Sequence, residues 1–257
     1  MKEEVKFSSL RKFNAVMAVL HFAQGIVMYL ISKEFLLPVT TTFLDFNAKL
    51  RTVLPVTEEL FKINLGQFIS VFLFLSAFFH FVLILPGVYE WYVENLKKKT
   101  NYLRWYEYAL SSSVMIVAIS LLCGMFDFPS LILIFALNAT MNLFGLMMEK
   151  HNQTTNKTDW TAYIFGCFAG IVPWIVVAMY FFGAVSSAGT NVPTFVYAIL
   201  ATIFVFFNIF ALNMFLQYKK VGPWKDYLFG ERVYMVLSLV AKSALAWQIF
   251  SGTLRPM

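Results

Sequence analysis

The stretch Val233-Tyr-Met-Val-Leu-Ser238-Leu-Val-Ala-Lys242-Ser-Ala-Leu-Ala-Trp-Gln-Ile-Phe250 decides how this chain is read. It is apolar and long enough to approach the roughly 20 residues that a helix needs to cross a bilayer. At its centre stands a lysine with no acid within a helical turn or two. A charge at that depth costs about 2.5–3.5 kcal/mol on insertion scales, so such a residue is a functional candidate by default. A desolvated lysine amine is also suited to condensing with an aldehyde.

Working outward, the 257 residues are 60% hydrophobic and 13% charged, with 29 phenylalanines and a mean hydropathy of +0.70. These values exclude an ordinary soluble domain and indicate an all-α membrane protein of several spans. The length fits a single seven-helix domain over residues 1–257. Seven spans are expected: Phe13–Ile31, Leu65–Leu85, Trp105–Gly124, Pro129–Met148, Thr161–Phe182, Val192–Gln217 and Val233–Gly252. The first lacks the small-residue cleavage site of a signal peptide and is too long for a signal's apolar core. Cys123 and Cys167 both lie in apolar segments and read as buried free thiols. A lone lysine in the seventh of seven helices points to a covalently bound chromophore.

The charge of +6 is distributed as a membrane protein's topology, not as a nucleic-acid footprint. Of the 20 Lys and Arg residues, fourteen fall on the side of the N-terminus: Lys2 to Lys12, Lys97 to Arg104, Lys150 and Lys157, and Lys219 to Arg232. Five fall on the other side: Lys33, Lys49, Arg51, Lys62 and Arg255. The positive-inside rule places the N-terminus in the cytoplasm and the C-terminus outside, and the cell membrane is the expected location. The one long loop, Lys33 to Asn64, lies outside and carries Leu-Pro-Val-Thr-Thr-Thr and Arg-Thr-Val-Leu-Pro-Val-Thr. These β-branched runs predict a short β-hairpin over the outer mouth. Asn152-Gln-Thr and Asn156-Lys-Thr match the glycosylation pattern but fall on the cytoplasmic side.

Four ionisable residues are candidates for the bundle interior: Lys242, Glu107, His21 and His80. Glu107 has two readings, an interfacial acid beside Arg104 or the charge partner of a cation on the seventh helix. Asp127, Glu149 and Glu231 sit near helix ends, so elimination favours the second. Ser238 is four residues before Lys242, on the same helix face. Its hydroxyl either bridges Lys242 to Glu107 or bonds its own backbone. His21 and His80 read as core histidines or, with Gln24, Ser76 and Asn138, as the lining of a small hydrated cavity. Two histidines without a carboxylate supply too few ligands for a metal. Tyr108, Met115, Met141, Pro173, Trp174, Phe204 and Phe207 suit both ordinary packing and a polyene pocket.

Nearly the whole chain resembles the heliorhodopsins. The resemblance rests on Tyr234 to Leu254, on Glu107-Tyr-Ala-Leu-Ser-Ser-Ser-Val-Met-Ile-Val, on Phe165-Gly-Cys-Phe-Ala-Gly-Ile-Val-Pro-Trp and on Leu75-Ser-Ala-Phe-Phe-His. It implies a rhodopsin-like bundle with the N-terminus inside and all-trans retinal on Lys242 as a protonated Schiff base. It implies Glu107 as counterion and Ser238 near the Schiff base. It further implies pocket roles for Ser112, Met141, Gly170, Ile171, Phe204 and Phe207, and a cytoplasmic-side cavity holding His21 and His80. A homodimer in membrane lipid, all-trans to 13-cis isomerisation and a slow photocycle without net ion transport follow from the same resemblance.

The leading functional expectation is therefore light sensing, read out by a cytoplasmic or membrane signalling partner. The alternatives are a light-driven proton transporter, a light-gated channel, or a light-dependent regulator of a partner enzyme or transporter. No nucleophile–base constellation or nucleotide loop supports intrinsic enzymatic chemistry. The charge count is directly testable. A protease site placed before Phe13 is expected to be protected in intact cells and one after Arg255 to be cut; the reverse pattern overturns the orientation.

Overall fold

The computed structural model describes residues 2–188 and 194–254. Val192, the expected start of the sixth span, and Arg255, one of the outer charges, lie outside the described residues. The order is α1 (Lys2–Ile31), β1 (Leu36–Asn47), β2 (Thr52–Asn64), α2 (Leu65–Val82), α3 (Val88–Lys97), α4 (Tyr102–Leu122), α5 (Phe128–His151), α6 (Thr161–Ala188), α7 (Thr194–Tyr218) and α8 (Tyr227–Ile249). A 3₁₀ turn at Gly222–Lys225 precedes α8, and a π turn at Phe250–Leu254 follows it. Among the described residues seven helices, all but α3, are long and apolar enough to cross a membrane. The chain is an integral multi-pass membrane protein.

Polar residues fix several helix starts, two of them earlier than the expected spans: α4 begins at Tyr102 and α8 at Tyr227. Asn64, Asn101, Asp127 and Asp226 each accept a backbone N–H of the helix that follows, from Gly66, Arg104, Ser130 and Leu228. The outward-facing side chains of the spans are mostly apolar, among them Leu133, Phe168 and Met179. That is the expected surface where lipid is the solvent.

Two features differ from the sequence expectation. The hairpin is long: its antiparallel strands of 12 and 13 residues run in register from Leu36 opposite Asn64 to Asn47 opposite Thr52. An irregularity between Val39 and Thr40 lets Val39 bury itself while Thr40 N–H donates to the Phe126 carbonyl at 2.8 Å. The base of the hairpin is thereby tied to the start of α5. The second difference is α3, in what reads as a charged loop. It buries Tyr92 and Leu96, one turn apart, against Phe7, Leu10, Leu83 and Met235. It covers the ends of α1, α2 and α8 on the side of the N-terminus.

That end of the bundle is closed by charge. Arg104 on α4 pairs with both Glu149 of α5 and Glu231 of α8. Its guanidinium lies 4.1 Å from the centroid of Tyr234 and 4.5 Å from that of Trp105. Trp105 Nε1 and the Tyr227 hydroxyl donate to Glu149 at 2.7 and 3.1 Å. The Asn101 side chain donates to Glu231 at 2.8 Å. All three charged residues are buried. Removing one member of such a set strands the others without solvent. Arg104→Met is expected to cost about 3–5 kcal/mol, read as a lower unfolding midpoint. Combining it with Glu149→Leu and Glu231→Leu is expected to recover most of the loss. A single variant as stable as the parent rules out this account.

Candidate functional site

Lys242 sits on the inner face of α8, at 3% exposure, where α2 and α4 face it. Its Nζ donates to Glu107 Oε1 of α4 at 2.6 Å and to Ser238 Oγ, one turn earlier on α8, at 2.8 Å. Ser76 of α2 donates to the same Glu107 oxygen at 2.6 Å. Glu107 is 4% exposed and Ser238 1% exposed, so the pair is screened from solvent and its attraction is strong. The ring of Tyr108 covers the ammonium, with its centroid 5.3 Å from Nζ, and the Tyr108 hydroxyl is fixed on the Tyr234 carbonyl at 2.9 Å. Of the two sequence readings of Glu107, the geometry carries the second. Arg104 is engaged by Glu149 and Glu231, and Glu107 faces Lys242.

From Lys242 the space runs away from Glu107 between α4, α5 and α7. A small cavity of about 40 Å³ touches Lys242, Ser111, Ser112, Met115 and Met141. Tyr108, Met141, Asn142, Phe207 and Phe210 also wall a larger cavity, about 340 Å³, that extends to Gly170, Ile171 and Trp174 on α6. That volume lies within the roughly 300–1,000 Å³ of small-molecule pockets. Two glycines keep the space open: a Cβ at Gly170 would strike the Met141 sulfur, and one at Gly145 would strike the Trp105 ring. Phe204 and Phe207 both meet Trp174 edge-on, with centroids 5.2 Å away. Pro173 is buried inside α6. A primary amine at one end of a long apolar and aromatic cavity fits retinal, whose aldehyde carbon needs the amine and whose polyene needs the apolar walls.

The polar residues expected beside this site separate into two groups. His21 and His80 stack at 5.7 Å between centroids, nearly parallel, and His80 Nδ1 donates to Asn14 at 2.7 Å. Both ring nitrogens of His21 are buried without a partner among the described residues. Ser76 reaches Glu107 instead, linking α2 to the ion pair. Asn138 and Gln24 are not part of the histidine group. Asn138 donates to Ser112 and Ser113 across the α4–α5 contact, at 2.7 and 3.0 Å. Gln24 accepts from Trp247 at 3.1 Å. Their distance in sequence from the span centres gave no hint of which neighbour they would meet. Asn14 carries no signal in the sequence, and Arg104, Glu149 and Glu231 read there only as residues near helix ends; that they are buried together depends on packing.

The comparisons agree with this arrangement. The heliorhodopsin family profile matches residues 10–254, nearly the whole chain. No curated protein sequence matches. Among solved structures, a light-driven proton pump from Leptosphaeria maculans is similar at a TM-score of 0.60 and 14% identity, over 94% of this chain and 95% of that one. At that identity the likeness speaks for the fold. The match in sequence, the fold and an amine beside apolar and aromatic cavities lead to one conclusion: the chain belongs to the heliorhodopsin family, membrane photoreceptors built around retinal.

Proposed function

We propose that this protein senses light through all-trans retinal held on Lys242, with Glu107 as counterion, and that it moves no net charge across the membrane. The observation that carries the reading is the Lys242–Glu107 contact of 2.6 Å at the closed end of the apolar cavity. When bound, retinal supplies visible absorption and a light-driven all-trans to 13-cis change of shape. Lys242 supplies the amine, and Glu107 holds positive charge at Nζ. Ser76 and Ser238 fix the two partners from either side, which keeps the pair preorganised. Met141, Phe207 and Trp174 form the apolar walls and exclude water.

The distribution of polar groups around Lys242 supports the absence of transport. On the side of the N-terminus lie Glu107, Ser76, His80 and His21, a set able to accept and hold a proton leaving Nζ. On the hairpin side the bundle is filled by Phe72, Leu73, Ile116, Ile119, Leu245 and Ile249. Among the described residues no Asp, Glu, His, Lys or Arg occurs in any span between the level of Lys242 and the hairpin face. A proton thus has somewhere to go on one side only. The excess of Lys and Arg on the side of the N-terminus supports placing that face in the cytoplasm. A homodimer belongs to the same reading, supported by exposed Leu44, Phe46, Leu54 and Leu60 along the hairpin.

Three outcomes test this. Adding all-trans retinal to the protein is expected to give a visible band that Lys242→Ala abolishes; a normal band in that variant refutes the linkage. Glu107→Gln is expected to move the visible maximum to longer wavelength, or to collapse it toward the ultraviolet if Nζ loses its proton. An unchanged maximum places the counterion elsewhere. Illuminated voltage-clamped membranes are expected to carry no steady photocurrent, and a sustained current favours a pump or channel.

A further inference from the structure

On the face that carries the N-terminus, the ends of α3 and α7 and the loop after α5 surround a second cavity of about 500 Å³, separate from the one that reaches Lys242. Lys97, Lys98, Lys99, Lys220 and Lys225 line it, and all five are exposed. Its one acidic residue is Glu149, already engaged by Arg104, Trp105, Tyr227 and the Asn101 backbone N–H. None of the five lysines makes an ion pair among the described residues. Lys97 lies 5.9 Å from the ring centroid of Phe7, which holds the side chain without neutralising it.

The lysines are also held at some conformational cost. Lys99 (φ 58°) and Lys220 (φ 53°) are two of three non-glycine residues in the left-handed region among the described residues. They follow the ends of α3 and α7, the position where glycine is the usual choice because it has no Cβ to clash. Helix C-termini favour a nearby cation, but two helix ends do not account for five lysines around one cavity. The wall opposite is preorganised. The Asn152 side chain donates to the Met148 and Asp159 carbonyls at 2.9 Å each, and its oxygen accepts the Asp159 N–H at 2.7 Å. Gln153 donates to Thr100, and the Tyr218 hydroxyl donates to the Met148 carbonyl. The loop is thus fixed by its own contacts, and the lysines carry unspent charge into a polar cavity.

We propose that this cavity binds a multiply charged phosphate anion, supplied either by a soluble polyphosphate compound or by a phospholipid headgroup. Phosphate oxygens suit a ring of ammonium groups, each donating charge-assisted hydrogen bonds. A monovalent anion would leave most of that charge unmatched. The site does not depend on retinal, so it stands or falls apart from the light-sensing reading.

The experiment is calorimetric titration of inorganic triphosphate in the dark, into the protein in nanodiscs of phosphatidylcholine alone and of phosphatidylcholine with phosphatidylglycerol. Saturable one-to-one binding is expected in the first. Lys99→Gln with Lys220→Gln is expected to weaken it by about tenfold or more, the scale of lost charge-assisted hydrogen bonds. Lys12→Gln with Lys150→Gln removes the same charge outside the cavity and is expected to change it less than about twofold. Equal binding in both nanodiscs identifies a soluble ligand. Binding suppressed by phosphatidylglycerol, with the suppression lost in the Lys99 and Lys220 variant, identifies a headgroup. Both variants alter exposed side chains, and their circular dichroism verifies the fold. No saturable binding in phosphatidylcholine, or an equal loss in the control variant, overturns the proposal.

Discussion

A buried ammonium needs a buried carboxylate, and the packing of α2, α4 and α8 follows from meeting that need at Lys242. Either charge alone in the apolar interior would cost several kcal/mol. Together they stabilise each other only if held at contact distance with their remaining hydrogen-bonding capacity filled. Ser238 from the lysine's own helix and Ser76 from α2 do that. Tyr108 covers the remaining face of the ammonium, and its hydroxyl ties α4 to the backbone of α8. Three helices thus converge on one ion pair, and a change in the position of Nζ is felt by all three.

A second charged set lies nearby, and the two differ in kind. Arg104 is held by two carboxylates and two aromatic faces, so it is over-determined. Lys242 has a single carboxylate and a single hydroxyl, that of Ser238 on its own helix. The first arrangement suits a fixed closure of the bundle, while the second leaves a partner free to be modified or to exchange a proton. Tyr108 and Tyr234 stand between them, joined by the hydrogen bond from the Tyr108 hydroxyl to the Tyr234 carbonyl, with Arg104 resting on the Tyr234 ring. Strain at Lys242 therefore has a short packed route to the charged end of the bundle.

The spans and the ion pair could be read from sequence because each rests on a strong local signal. Seven apolar runs define the helices. A lysine amid one such run and an acid inside another could be matched by elimination, and the contact between Lys242 and Glu107 shows why that worked. Readings failed where the deciding fact was three-dimensional. The helix at Val88–Lys97 buries only Tyr92 and Leu96, too little apolar signal to separate it from a charged loop. The length of the hairpin depends on pairing between strands whose outer residues are exposed on both faces, so alternation gave no warning. Asn138 and Gln24 were grouped with the histidines by polarity, yet polar residues in a membrane bond to whichever neighbour packing supplies.

The same reasoning explains why the bundle is built asymmetrically about Lys242. Every hydrogen-bonding group that touches the ion pair, and every titratable group close to it, lies level with Lys242 or toward the N-terminal face. The hairpin side is closed by close-packed Phe, Leu and Ile. An unsatisfied polar group placed there would cost several kcal/mol in lipid-like surroundings, so the apolar packing is itself stabilising. It also insulates. The polar groups beside Nζ, Glu107, Ser76, His80 and His21, continue into a small cavity lined by His80, Asn101, Arg104, Glu107 and Glu231. A chain meant to move ions needs polar groups on both sides of the switch; one meant to report a change needs them on the side where the report is read.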